Sequence, residues 1–309
     1  MGWFSSGKCT SKARLDGKTV IITGCNTGIG KYTVLDLYSR GARVVMACRN
    51  VEKAEEARDW VIEQRTGQEG LGQLSVCHLD LSSLASVQKC AEKLLDEENH
   101  IHILINNAGI MMCPRSLTED GYELQFATNH LGHFLFTLIL LPKIISSAPS
   151  KIINVSSEAH KWCKSLYLDD INLEKSYNPQ TSYFRSKAAN ILFSRELTRR
   201  LEGTGVSVYS VHPGAVDTEL LRHLDSVTWR VLRYFANFFM KTPEQGAQTT
   251  IYCAVDEKAA KETGLYYGDC AVATTTTMTQ DDGLAKQLWD VSLDMVKFTP
   301  AEPFGKSTS

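Results

Sequence analysis

The sequence lacks any run of 18 apolar residues, about what a helix needs to cross a bilayer. Its first residues also lack the apolar core of a secretory leader. These absences lead to the expectation of a soluble or peripheral protein whose most apolar stretch, 134–141, is a buried helix. Neither charge dominates, since 33 Lys and Arg stand against 35 Asp and Glu. Such a balance gives no basic surface for nucleic acid. The nine cysteines are odd in number, scattered and never in C-x-x-C spacing. That pattern argues against a disulfide scaffold or a zinc site and for reduced thiols in the cytoplasm, so no metal centre is expected. No internal repeat is present. Strand and helix signals alternate along the length, as in one α/β domain over residues 17–298.

The chain is organised around residues 17–40. A β-branched run, Thr19 to Thr23, breaks into Gly24-Cys25-Asn26-Thr27-Gly28-Ile29-Gly30 and then takes helical spacing. A turn that ends at a helix N-terminus offers free N–H groups and the positive end of the helix dipole to a phosphate. Glycines let the backbone approach a pyrophosphate closely. The spacing is G-x-x-x-G-x-G rather than G-x-G-x-x-G, and a purely structural turn is the alternative at this point. The next strand, 42–48, ends in Arg49-Asn50. In a dinucleotide fold that end faces the adenosine ribose, where an acidic residue selects NAD. Arg49 instead presents a guanidinium fork suited to a 2′-phosphate, which points to NADP(H). An ordinary surface arginine is the competing reading.

Residues 1–16 are expected to form a mobile arm. Gly2 and Ser6 fit a myristoylation signal, and Lys8, Cys9, Lys12 and Arg14 would complete a two-part anchor, but bulky Trp3 argues against it. A third strand, 74–78, precedes Asp80, which is placed either to accept from an adenine amino group or to cap a helix, a role Ser82 or Ser83 fills better. A fourth strand, 102–105, ends in Asn106-Asn107-Ala108-Gly109, at the edge where open α/β sheets bind ligands. Met111, Met112 and Cys113 then offer soft apolar surface, as core or as pocket. Asn129 lies in an apolar helix over 121–146, either as a satisfied core amide or as part of a polar relay. A fifth strand, 151–155, ends at Ser156-Ser157, and an irregular loop fills 158–181. Strand 206–211, helix 242–255, strand 265–267 and helix 281–296 complete the domain, with 299–309 as a tail.

Tyr183 and Lys187 are four apart on a helix expected over 182–201, so they share a face. An ammonium beside a phenol favours the phenolate and is expected to pull Tyr183 toward neutrality. Such a tyrosine can give a proton to a carbonyl oxygen as hydride arrives, or take it from an alcohol in reverse. Ser157 can hydrogen-bond the same oxygen. Lys187 can also hold a nicotinamide ribose, and Asn129 can link it to water. The spacing alone is weak. In order with the glycine turn, N-N-A-G and Ser-Ser, it is specific.

With these motifs the chain resembles the short-chain dehydrogenase/reductase family over 17–296. The matches are Thr23-Gly24-x-x-x-Gly28-x-Gly30, Asp80, Asn106-Asn107-Ala108-Gly109, Asn129, Ser157, Tyr183-x-x-x-Lys187 and Pro213-Gly214 with Thr218. The resemblance implies a Rossmann-type doubly wound domain with a seven-stranded parallel sheet in the order 3-2-1-4-5-6-7. It implies a catalytic tetrad of Asn129, Ser157, Tyr183 and Lys187, and a nicotinamide contact at Pro213, Gly214 and Thr218. GCNTGIGK, NHLGHFLFT and RSKAANILFSREL are similar to the retinol dehydrogenase 11–14-like branch, which implies NADP(H) and retinal or related lipophilic carbonyls. Cys25, where that branch more often has Ala, and an N-terminus without the hydrophobic anchor of microsomal members are the departures.

In this family the segment over 220–241 covers the substrate. Here it is basic and aromatic, suited to a lid or to contact with a membrane surface. Peripheral residence on the cytosolic face of the endoplasmic reticulum or of lipid droplets is the membrane alternative. The family's fifth and sixth helices offer a homodimer surface. Two other functions stay open: a broad carbonyl or steroid reductase, and a non-catalytic NADP(H)-binding protein.

Overall fold

The computed structural model describes residues 7–216 and 240–299. Gly2, Thr218, nearly all of the 220–241 segment and the tail from 300 lie outside the described residues. Within them, β-branched runs alternate with helical stretches to give β1 (Thr19–Thr23), α1 (Gly28–Ser39), β2 (Arg43–Cys48), α2 (Val51–Glu63), β3 (Gln73–His78), α3 (Leu84–Glu97) and β4 (Ile103–Asn106). Then follow α4 (Leu124–Ser146), β5 (Ser150–Val155), α5 (Pro179–Arg200), β6 (Val206–His212), α6 (Pro243–Val255), β7 (Tyr266–Gly268), β8 (Ala271–Val272) and α7 (Asp282–Val296).

The strands form one sheet in the order β3-β2-β1-β4-β5-β6-β7-β8. The first seven run parallel, as the family resemblance implied, and the central β1 and β4 are fully buried because helices cover both faces. The eighth is an addition. β8 pairs antiparallel with β7 across a two-residue turn in which Asp269 and Cys270 both have positive φ. Both central residues of a type I′ hairpin need that conformation, and the Thr-rich sequence that follows gave no sign of it.

The arm expected over 1–16 is not free over residues 7–16. Cys9 and Leu15 are buried. The Leu15 amide donates to the Arg40 carbonyl (2.8 Å), and Arg40 Nη1 donates to the Ser11 and Ala13 carbonyls (3.0 and 2.8 Å). One half-buried guanidinium thus collects carbonyls that would otherwise face water.

α4 is long and apolar enough to cross a membrane, but 89% of its most apolar window is buried inside the domain. It is a core helix. Its interior departs from α geometry over Ala127–Leu131, a π-helical segment that contains Asn129. α5 begins at Pro179, earlier than expected, because Asn178 caps it and proline suits the first turn. α7 lies over α5. Its Trp289 ring sits 5.1 Å from Phe134 and 6.0 Å from Phe193, with the Arg200 guanidinium 4.3 Å above it. α7 thus covers part of α5 within the chain. Trp289→Ala is expected to cost about 3–5 kcal/mol, measured by denaturant unfolding, because a fully buried indole leaves a cavity its neighbours cannot fill.

Candidate active site

The site is built at the carboxyl ends of β1 to β6, where the loops leave the sheet. The glycine turn is tightly held. A Cβ on Gly24, which has φ +59°, would lie 2.6 Å from the Ala108 Cβ, and one on Gly30 would lie 2.6 Å from the Cys25 Cα. Thr27 enters α1 with extended backbone and makes no side-chain cap, and the first turn carries no acidic residue. The leading amides of α1 therefore have no side-chain acceptor from within the turn. With Asn26, Thr27, Gly28 and Ile29 partly open to solvent, this end of α1 fits a phosphate.

Arg49 lies exposed just beyond β2 and makes no hydrogen bond or ion pair among the described residues. Asn50 is engaged instead as the cap of α2, accepting from the Lys53 amide at 2.8 Å. Asp80 accepts from the Ser82 amide and hydroxyl (2.9 and 2.6 Å), and the cap of α3 is Ser83. Asp80 is thus not a helix cap. The paired asparagines divide their work. Asn107 Nδ2 donates to the Thr23 and Gly24 carbonyls (2.9 and 3.1 Å), fastening β4 to the turn. Asn106 Nδ2 donates to Thr137 and Asn154 (2.9 and 2.7 Å), fastening β4 to α4 and β5. Pro213 and Gly214 follow β6, with the Gly214 amide donating to His212 Nδ1 at 3.2 Å.

Tyr183, Lys187, Ser157 and Asn129 are brought together. Tyr183 is 5% exposed and lies beside the Ser157 side chain. Lys187 Nζ lies 5.7 Å from the Tyr183 ring and donates to the Val155 carbonyl at 3.2 Å. A Cβ on Gly109 would lie 3.3 Å from Asn129 Oδ1 and 3.4 Å from Lys187 Nζ, so both converge on that glycine. The Asn129 side chain is fully engaged. Its Nδ2 donates to the Ile110 carbonyl and Ser186 Oγ (both 2.9 Å), and its Oδ1 accepts from the Ile110 amide (2.8 Å). It is a satisfied core amide, and any relay through this residue must use its backbone carbonyl.

The titration of the tyrosine differs from the sequence-based expectation. Burial pushes Tyr183 up to about 12, with the neighbouring Ser157 hydroxyl opposing it, and burial pushes Lys187 down to about 8. Both groups sit deep in the domain, so the cost of desolvating each charged form exceeds their mutual attraction. Near neutral pH the phenol is protonated and the amine largely charged, the pair a proton donor needs. As pH rises through about 8, Lys187 loses its charge while Tyr183 stays protonated. kcat/KM for carbonyl reduction is therefore expected to fall above about pH 8 in a pH–rate profile, which reports the free enzyme.

Residues not singled out from sequence support this arrangement. Ser156 Oγ donates to the Lys187 carbonyl at 2.7 Å, so the first serine of the pair holds α5. Glu123 is buried and accepts from the Gln125 and Phe126 amides and from Ser182 Oγ (3.0, 2.9 and 2.5 Å), with Arg185 3.5 Å away. Behind Ser157, His160 Nδ1 donates to the Ser157 carbonyl (2.7 Å), and Glu158 meets His212 Nε2 at 3.1 Å. His160, three residues past Ser157, and His133, four past Asn129, were the available signal. A hollow of about 720 Å³ is lined by Trp162, Cys163, Tyr167 and Phe184 and by no member of the tetrad; the Phe184 ring lies 6.5 Å from that of Tyr183.

A family model described as short chain dehydrogenase matches residues 18–228. Human retinol dehydrogenase 11 is 49% identical over 94% of this chain and 90% of its own length. A protein of uncharacterised function from Mycobacterium paratuberculosis superposes with a TM-score of 0.77 at 32% identity, covering 96% of this chain and all of its own. The Pseudomonas aeruginosa RhlG/NADP active-site complex does so with a TM-score of 0.65 at 25% identity, over 82% of this chain and 94% of that one. With the glycine turn, the strand-end asparagines and the Ser157, Tyr183 and Lys187 cluster in place, the chain belongs to the short-chain dehydrogenase family, as an oxidoreductase on its retinol dehydrogenase 11–14-like branch.

Proposed function

We propose that this chain interconverts a lipophilic aldehyde or ketone with its alcohol using NADP(H), with retinal and retinol as the preferred pair. The observation that carries the reading is the buried Tyr183, beside Ser157 and on one face of α5 with Lys187, whose Nζ lies 5.7 Å from its ring. When bound, NADP(H) supplies the hydride. The uncapped amides of α1 would hold its pyrophosphate, and Asn107, Ala108 and Gly109 would leave room beside it. Arg49 would pair with the 2′-phosphate, and Asp80 has a carboxylate oxygen left for the adenine amino group. Pro213 and Gly214, with Thr218, are proposed for the nicotinamide side.

In reduction, the Tyr183 hydroxyl gives its proton to the carbonyl oxygen, and Ser157 steadies the charge that develops there. Lys187 stabilises the phenolate left behind. Its proton is replenished along a path that passes the Asn129 carbonyl, because the Asn129 amide is already spent on Ile110 and Ser186. Met111 and Met112, partly exposed beside Gly109, suit an apolar substrate. The nine cysteines, none of them in a disulfide, support a reducing, cytosol-facing compartment, with any membrane contact peripheral.

The test is product analysis. Incubation with NADPH and all-trans-retinal is expected to yield retinol by chromatography, at a higher kcat/KM than a short aldehyde. Turnover of short carbonyls alone would keep the chemistry and reject the retinoid assignment.

A further inference from the structure

Thr23 closes β1 one residue before the glycine turn, and its hydroxyl is a junction. Oγ1 accepts from the Asn107 and Ala108 amides, both at 3.0 Å. Those two bonds use both lone pairs, so the single hydroxyl hydrogen is left for the third neighbour, His133 Nε2 at 2.8 Å. Nε2 is therefore an acceptor, and the ring proton sits on Nδ1. That nitrogen has its own acceptor, the Asn129 carbonyl at 3.1 Å. The ring is buried and stays neutral, since burial holds it down to about 3, with Lys187 and His130 the charged or titratable neighbours pressing the same way.

The chain of bonds thus runs from the cofactor turn to the one atom of Asn129 that its side chain leaves in play. Asn129 sits in the π segment of α4, where the backbone is wound more widely than in an α-helix and its carbonyls are less firmly directed by their own helix. A side-chain donor there sets the direction of the carbonyl.

We propose that His133 is a positioning residue for the reaction. As the neutral Nδ1–H tautomer it fixes the Asn129 carbonyl to the Thr23 junction, keeping the proton path beside Lys187 in register with the nicotinamide end of the turn. This inference rests on the reductase reading above. It separates two properties. The pyrophosphate contacts come from the amides of α1, so loss of His133 leaves cofactor affinity in place and disturbs proton delivery.

The experiment has a spectroscopic arm and a kinetic arm. Ring nitrogen NMR of the full chain is expected to show His133 with Nδ1 protonated and Nε2 bare throughout neutral pH. The opposite tautomer or a charged ring overturns the proposal. His133→Phe keeps the ring volume and removes both bonds. It is expected to lower kcat by roughly ten- to a hundredfold, to shift the apparent pKa of the kcat profile, and to change the NADPH dissociation constant less than about threefold. His133→Gln, which retains one donor and one acceptor, recovers part of kcat and serves if the phenylalanine variant fails to fold. In a Thr23→Val background, His133→Phe is expected to cost less than in the wild type, because the bridge is already broken. Unchanged kcat and pH profile in the His133 variants, or strictly additive effects with Thr23→Val, refute the role of His133. Absence of wild-type turnover on any carbonyl refutes the reductase reading itself and the role with it.

Discussion

Tyr183→Phe is expected to lower kcat/KM for carbonyl reduction by about 10²–10⁴-fold while NADPH still binds. The change deletes one oxygen from a residue that is 5% exposed, and the ring keeps its place on α5. Its neighbour Ser157 keeps the Ala159 amide at 3.1 Å, so the local fold has no orphaned group of consequence. What disappears is the proton. Ser157 and Lys187 remain, but a serine hydroxyl is far less acidic and the Lys187 amine is turned to the Val155 carbonyl. A fall in kcat with an unchanged NADPH dissociation constant is the signature of a donor. A parallel loss of both would mark Tyr183 as structural.

The second large effect is expected at Arg49. Its guanidinium stands exposed beyond β2 and pairs with nothing among the described residues. A fork that is already free loses little in turning to a phosphate, and paired N–H donors match phosphate oxygens. Arg49→Asp reverses the charge and offers an acceptor to a ribose 2′-hydroxyl. The ratio of kcat/KM for NADPH to that for NADH is expected to fall by about a hundredfold or more, with most of the change in KM for NADPH. In the wild type the preference is expected to shrink as salt is raised, since an exposed ion pair is screened. A ratio that ignores both the substitution and the salt would assign the phosphate to other residues.

Much of this site was legible in the sequence because its key spacings are local. Four residues on a helix put Tyr183 and Lys187 on one face whatever surrounds them. A β-branched run broken by Gly24, Gly28 and Gly30 can hardly be anything but strand, turn and helix. The α/β class likewise followed from alternation of strand and helix signals, and the parallel order of the sheet from the family resemblance. The misread features depend on distant partners. The direction of the Tyr183 shift is decided by how deeply α5 is buried, and α7, a hundred or so residues on, supplies part of that cover. The packing of residues 7–16 depends on Arg40 and Gln248, far along the chain. The π segment around Asn129 and the hairpin at Asp269-Cys270 are backbone conformations that no composition rule demands of these residues. His133 was visible as a histidine in an apolar helix, yet its partner Thr23 is 110 positions away.

The central claim is proton-coupled hydride transfer to a carbonyl, with Tyr183 as the acid. The most direct test is the rate of NADPH oxidation with all-trans-retinal, run for the wild type and for Tyr183→Phe, with NADH beside NADPH. The account predicts retinal-dependent oxidation that prefers NADPH and is lost in the variant. Tight NADPH binding with no oxidation by retinal or any other carbonyl would contradict it.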